Sequence, residues 1–74
     1  MKLPKLTVII EHTPRFFVAT CPELDIVSQG KTFKEAERNI QEAVELFLEC
    51  ASEKEINRRL ERKVQIKRLE LAHA

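Results

Sequence analysis

The strongest pattern of apolar and polar residues in the chain is a helical one, over residues 32–51. Apolar side chains recur at steps of one, three and four, which at about 100° per residue places them along one side of a helix. They are Phe33, Ala36, Ile40, Ala43, Val44, Phe47, Leu48 and Ala51. Thr32 and Glu35 have the spacing of a capping box, in which hydroxyl and carboxylate each bond a free N–H of the first turn. The segment predicts one long amphipathic helix that needs a covering layer.

Three short segments before this helix predict β-strands, because they are rich in β-branched and aromatic residues. They cover residues 5–10, 16–21 and 26–29. The second is apolar on both faces, which is unusual for a strand with one face in water. Proline places turns at residues 12–15 and 22–25. Gly30, the only glycine, is expected to permit positive φ before the helix.

Two further elements are predicted after the long helix. Ser52 and Glu55 repeat the cap spacing and precede a short helix with Ile56 and Leu60 four residues apart. Residues 64–71 are a candidate fourth strand. Its apolar residues change face partway, with Val64 and Ile66 on one side and Leu69 and Leu71 on the other. That change of phase implies a bulge if the strand forms.

These elements predict an α+β fold, a small β-β-β-α-β domain over residues 1–74 with a three- to four-stranded, largely antiparallel sheet and one long helix on one face. One helix leaves the other face of the sheet open. A core of this size supplies only about 3–5 kcal/mol of stability. We therefore expect a homodimer or larger oligomer that covers the open face or a sheet edge.

The charge of the chain is nearly balanced overall but unevenly distributed. The net charge is +1, which argues against general affinity for nucleic acid. Residues 31–55 carry four basic and seven acidic side chains, whereas residues 56–74 carry six basic and two acidic ones. The long helix is thus expected to have an acidic outer side, which is either a solvated surface or a docking surface.

Cysteine and histidine give no metal or cofactor pattern. Cys21 and Cys50 lack CxxC spacing, and His12 and His73 lie near opposite ends, so we expect reduced thiols and neither a metal nor a cofactor. The apolar run at residues 6–10 is too short for a signal peptide, and no apolar stretch is long enough to span a membrane. These features favour a cytoplasmic protein.

Several sequence segments together resemble the HicB antitoxin family over roughly residues 5–50. They are LTVII at residues 6–10, FVATCPELDIVSQG at 17–30, TFKEA at 32–36 and ELFL at 45–48. The most specific part is CPEL followed by SQG and the capped helix. The resemblance implies a partial RNase H-like domain without nuclease chemistry, which binds and silences a HicA-type toxin, a small RNA-cleaving protein.

Two features depart from the family pattern. Residues 12–15 stand where typical members have a glycine-rich, acidic turn. Longer members often continue into a DNA-binding module, for which these 74 residues give no candidate, so specific nucleic-acid binding is not expected.

Acidic residues are the candidate partner-binding site, because a toxin that binds RNA must present Lys and Arg. The candidates are Glu23 and Asp25 beside the CPEL motif, and Glu42, Glu45 and Glu49 on the long helix. One alternative is a stand-alone HicB-like oligomer of unknown role. Another is a nucleic-acid-binding regulator that uses the basic residues Arg58, Arg59, Arg62, Lys63, Lys67 and Arg68. An enzyme is disfavoured, because the strand-region acids Glu11, Glu23 and Asp25 do not lie along one central strand.

Overall fold

The computed structural model describes residues 3–72, so His73 lies outside the described residues. The elements are β1 (Ile9–His12), β2 (Phe17–Cys21), β3 (Ile26–Gly30), α1 (Phe33–Cys50) and α2 (Glu53–Leu60). The strands form one antiparallel sheet in the order β1-β2-β3, and α1 packs on one face, mainly against β3 and β2. This confirms the predicted α+β class with one long helix on one face of the sheet.

The register of the sheet separates a covered face from an open one. Ala19 and Cys21 of β2 are fully buried in a cluster with α1. Thr20 lies between them on the opposite face, where its register partners are Ile9 and Val27. Those two side chains are 44% and 61% exposed. The apolar open face that the sequence predicts is therefore present in the single chain.

The first strand begins later than predicted, at Ile9 rather than at residue 5. Ile9 pairs with Thr20, so two further residues would bring Thr7 opposite Pro22. Proline has no N–H to donate to a ladder, and the pairing ends before it. The turn at residues 12–15 is formed as predicted, with Thr13 N–H donating to the Phe16 carbonyl at 2.8 Å.

Helix α1 begins and ends as its sequence predicts. Thr32 is the N-cap, and its hydroxyl accepts a hydrogen bond from Glu35 N–H at 3.0 Å. The reciprocal bond, from the Thr32 N–H to the Glu35 carboxylate, is not formed among the described residues. Ala36 and Ile40 of the apolar stripe are buried, and they join Leu24 in the core.

The expectation of positive φ at Gly30 is wrong, since the residue with positive φ is Asp25, at 57°. Gly30 is needed for a different reason, which is the close approach of α1. A Cβ at this position would lie 2.4 Å from Ala36 N and 2.8 Å from the Glu35 carbonyl carbon. The absence of a side chain therefore allows the first turn of α1 to pack directly on the end of β3.

The second cap also forms as predicted. Ser52 Oγ accepts a hydrogen bond from Glu55 N–H at 3.1 Å, and Ile56 is the buried residue of α2. The predicted fourth strand is not formed, because residues 64–71 carry no ladder hydrogen bonds and are exposed throughout. We call residues 61–72 the C-terminal tail. A strand needs an edge to pair with, and the tail lies against no edge of its own sheet.

Candidate functional site

The candidate residue Glu23 lies in the β2–β3 turn and is bonded within the fold. Its carboxylate accepts hydrogen bonds from Thr7 N–H at 2.9 Å and from Thr7 Oγ1 at 2.6 Å. The Cys21 thiol also points at it, with Sγ at 3.8 Å. These contacts tie the segment before β1 to the turn after β2. Glu23 therefore has a structural role whether or not it also contacts a partner.

The surroundings of Glu23 and Cys21 shift both pKa values. Partial burial opposes the charged form of Glu23, but the two Thr7 hydrogen bonds outweigh it, so the pKa of Glu23 lies below its usual value. Burial is the main cause that raises the pKa of the Cys21 thiol, and the Glu23 charge adds to it. Cys21 is thus a buried, unreactive thiol, and Cys50 is a free, exposed one.

Asp25 is placed differently from Glu23. It is exposed, has a φ of 57°, and its N–H reaches the Pro22 carbonyl at 3.4 Å in the turn. Among the described residues its carboxylate accepts no hydrogen bond, so it is open to a partner. Aspartate tolerates the left-handed conformation better than most residues, so an aspartate at position 25 also suits the backbone of this turn.

The three helix candidates form one acidic stripe on the outer side of α1. Glu42, Glu45 and Glu49 are all exposed, and seven residues separate Glu42 from Glu49, which places the two almost in line. Glu45 lies beside them and accepts a hydrogen bond from Gln41 at 3.1 Å. We call these three residues the acidic stripe. All three lie on α1, apart from Glu23 in the β2–β3 turn.

A groove runs between the segment leading into β1 and helix α1, and we call it the β1–α1 groove. Its volume is about 320 Å³. Its lining residues are Leu6, Val8, Cys21, Ile40 and Val44, with Glu37, Gln41 and Glu45 from α1. The floor is therefore apolar, and the charged residues of its lining are both acidic. Sequence reasoning missed this groove, since it depends on how α1 crosses the edge of the sheet.

Part of the predicted basic surface fixes α2 and the start of the C-terminal tail in place. Arg59 lies over the Phe47 ring at 4.4 Å and donates to the Leu24 carbonyl at 2.6 Å. Arg62 donates to the Pro22 carbonyl at 3.1 Å. Two of the six candidate residues therefore join α2 to the β2–β3 turn and α1.

A third basic candidate, Arg58, is bonded within α2. It forms a bidentate ion pair with Glu55, in which Nε and Nη2 donate to the two carboxylate oxygens at 2.9 and 2.7 Å. Glu55 also pairs with Arg59, at 3.1 Å. The hydrogen bonds from Arg58 and then from Arg59 lower the pKa of Glu55 from 4.5 to about 2. Arg58 and Arg59 lie three and four residues after Glu55, a spacing from which these ion pairs could have been predicted.

The acids considered for catalysis are dispersed. Glu11 is exposed on β1, Glu23 is bonded to Thr7, and Asp25 is in the turn. No group of three or more His, Cys, Asp or Glu residues within residues 3–72 is arranged to hold a metal ion. His12 is stacked on the Phe17 ring, with ring centroids 4.2 Å apart and planes 3° from parallel. This arrangement gives His12 a packing role at the hairpin.

Comparisons of the chain with protein-family models, with curated proteins and with solved structures found no match. Within the part of the chain that the structure describes, no helix is long and apolar enough to cross a membrane.

Proposed function

We propose that this chain is a HicB-like antitoxin domain, which neutralises a HicA-type RNA-cleaving toxin by covering the surface with which the toxin binds RNA. The resemblance over residues 5–50 supplies the class of partner. The antiparallel sheet followed by a capped long helix is compatible with the fold that the resemblance implies.

The observation that carries the proposal is the acidic stripe of α1. Residues 41–50 include Glu42, Glu45 and Glu49 and no basic residue, and the last turn of α1 has none. Negative charge in the last turn of a helix opposes the helix dipole, at a cost of about 0.3–1 kcal/mol, and Glu49 lies in that turn. The helix dipole therefore does not account for Glu49, and we assign all three carboxylates to recognition of a basic protein.

In the proposed complex, carboxylates of this chain take the place of RNA phosphates on the toxin. A toxin that binds RNA presents Lys and Arg side chains to the phosphates, and the exposed carboxylates bind those same side chains. Asp25 is a further exposed carboxylate, in the turn whose carbonyls bind α2. Glu23 is left out of the proposed contact surface, because its carboxylate is already bonded to Thr7.

The first experiment is co-expression with an adjacent open reading frame that encodes a short basic protein. We expect that protein to arrest growth when expressed alone and this chain to restore growth. Purification of a stable complex and loss of RNA cleavage in the complex complete the test. If no neighbouring product is toxic or forms a complex, the antitoxin proposal fails and the stand-alone alternative gains support.

The second experiment reverses charge on the acidic stripe. Glu42→Lys and Glu49→Lys are suitable because neither residue lines the β1–α1 groove or accepts a side-chain hydrogen bond. Each should slow association with the toxin and reduce its salt dependence, while dissociation changes less. Glu53→Lys, at an exposed position of α2 outside both the acidic stripe and the β1–α1 groove, is the control with the same charge change. Equal association rates for Glu49→Lys and Glu53→Lys would show that the toxin does not bind at the acidic stripe.

The proposed function assigns the protein to the cytoplasm, where an RNA-cleaving toxin meets its substrate. Cys21 and Cys50 are both free thiols, which agrees with a reducing compartment.

A further inference from the structure

The C-terminal tail presents apolar side chains that no other part of residues 3–72 covers. Ile66 is 55% exposed, Leu69 is 71% exposed and Leu71 is 68% exposed. The radius of gyration is 14.5 Å, whereas a compact chain of this length has about 11 Å. The extended shape and the apolar exposure indicate a segment that has a binding partner.

The same chain carries a surface that could receive such a segment. The β1–α1 groove has an apolar floor, and Val8 on its edge is 46% exposed. Strand β1 is an edge of the sheet, paired only with β2, so one side of its backbone is free to bind another strand. No residue of the C-terminal tail lines this groove in its own chain.

The tail and the groove have complementary charges. The tail carries four basic and two acidic residues, namely Arg62, Lys63, Lys67 and Arg68 against Glu61 and Glu70. The groove lining contains Glu37 and Glu45 and no basic residue. Opposite charge at a rim favours the correct pairing and speeds encounter.

The apolar pattern of the tail also matches an added strand. In a strand, Val64 and Ile66 point to one face and Leu69 and Leu71 to the other. A strand added beside β1 would place one pair toward α1 and the other beside exposed Ile9 on the open face. The change of apolar face along the tail, which is unfavourable for a strand with one face in water, then gives each face of the added strand an apolar neighbour.

We propose that the C-terminal tail of one copy binds as a strand along β1 of a second copy, with one pair of its apolar side chains against the β1–α1 groove and the other pair beside Ile9 on the open face. Each chain carries both the tail and the groove, so a two-fold exchange satisfies both copies at once. Arg62, bonded to the Pro22 carbonyl, anchors the start of the tail on its own chain and leaves residues 63–72 free to reach the partner.

The first test compares the association states of full-length variants by sedimentation velocity. The wild-type chain should be a dimer at micromolar concentration. Ile66→Ser combined with Leu69→Ser should raise the dimer dissociation constant at least about tenfold, since two aliphatic contacts are lost. Leu46→Ser is the matched control, because Leu46 is 60% exposed on α1 and lies outside the groove. It should leave the dimer intact.

The second test exchanges charge between the two surfaces. Glu37→Lys with Glu45→Lys should weaken the dimer, and so should Lys67→Glu with Arg68→Glu. A mixture of these two double variants should form a heterodimer, because each tail then meets a groove of opposite charge.

Three outcomes would overturn the proposal. One is a wild-type chain that stays monomeric into the submillimolar range, which would also follow if the tail folded onto its own β1. Another is a Leu46→Ser variant that dissociates as much as the tail variant does. The third is a mixture of charge-exchanged variants that forms no heterodimer although circular dichroism shows both to be folded. None of these outcomes depends on the toxin.

Discussion

At the scale of single residues, Glu23 and Gly30 each make a contact that brings two segments of the chain together. Glu23 bonds Thr7 across 16 residues of sequence, and Gly30 lets the first turn of α1 approach β3. Neither residue was expected to act in this way, since one was assigned to a partner surface and the other to a turn of positive φ. Both roles depend on contacts between separate segments of the fold, which residue spacing along one element does not reveal.

Removing the Glu23 charge should destabilise the fold. Glu23→Gln should lower the free energy of unfolding by about 1–2 kcal/mol at neutral pH, toward the low end for hydrogen bonds to a charged group because the site is partly exposed. The folded pKa of Glu23 is lowered, so its contribution is present above the unfolded pKa and is lost as pH falls through the folded pKa. The difference between wild type and variant should therefore shrink in acid. Urea denaturation at several pH values measures it, with exposed Glu11→Gln as the control.

A side chain at Gly30 should be poorly tolerated. Gly30→Ala places a Cβ 2.4 Å from Ala36 N, which is rigid backbone in the first turn of α1. We expect a loss of about 3 kcal/mol, at the upper end of the usual cost of overpacking. Denaturation midpoints would measure this, and Gln29→Ala, at an exposed neighbour, should have little effect. An unchanged midpoint for Gly30→Ala would show that α1 can move away without cost.

At the scale of elements, arginine contacts hold α2 and the start of the tail against α1 and the β2–β3 turn. Arg59 lies over Phe47 of α1 and bonds the Leu24 carbonyl, while Arg62 bonds the Pro22 carbonyl. Helix α2 has eight residues, too few to be stable in isolation. Its position on the fold therefore depends on these contacts and on buried Ile56.

Phe47→Ala should weaken both helices together. Phe47 packs against the core from a half-buried position and supports the Arg59 guanidinium. We expect a loss of about 2–4 kcal/mol, somewhat less than for a fully buried phenylalanine. Leu46→Ala, at the neighbouring and 60% exposed position, is the control. Thermal unfolding followed by circular dichroism compares the midpoints of the two variants. Equal midpoints would mean that the apolar stripe of α1 is centred elsewhere.

The Glu55 ion pairs should give α2 a pH-dependent contribution. Hydrogen bonds from Arg58 and Arg59 lower the folded pKa of Glu55 from 4.5 to about 2. Stabilisation from this carboxylate is therefore complete above the unfolded pKa and declines as pH falls toward 2. Glu55→Gln should be less stable than wild type at neutral pH and nearly equal to it near pH 2. Parallel stability curves for the two proteins over this range would contradict the assignment.

At the scale of the whole molecule, the charged groups are separated by sign. The outer side of α1 is acidic, the tail is basic, and several arginines between them are bonded within the fold. This arrangement is compatible with the two surfaces proposed above, one for a basic partner and one for a second copy. The carboxylates near the strands are distributed among β1, the turn and the Thr7 contact.

The dispersed carboxylates lead to a prediction about RNA. Cleavage of RNA with Mg²⁺ requires several carboxylates that converge on the metal, and Glu11, Glu23 and Asp25 occupy separate environments. We expect the purified chain to leave a labelled RNA intact when Mg²⁺ is present. Cleavage that requires Mg²⁺ and disappears in Glu11→Gln would reverse this conclusion.

The features that the sequence by itself determined are those that depend on neighbours along the chain. The caps at Thr32 and Ser52, the proline turn after β1 and the apolar stripe of α1 each involve residues within one or two turns, so their spacing was enough to predict them. Only the tertiary structure decided the role of Glu23, the packing of Gly30 against α1 and the anchoring of Arg59 and Arg62, because these contacts join residues 5 to 40 positions apart. It also decided that residues 64–71 lie outside the sheet, since a strand pattern becomes a strand only where the segment reaches a strand edge and pairs with it.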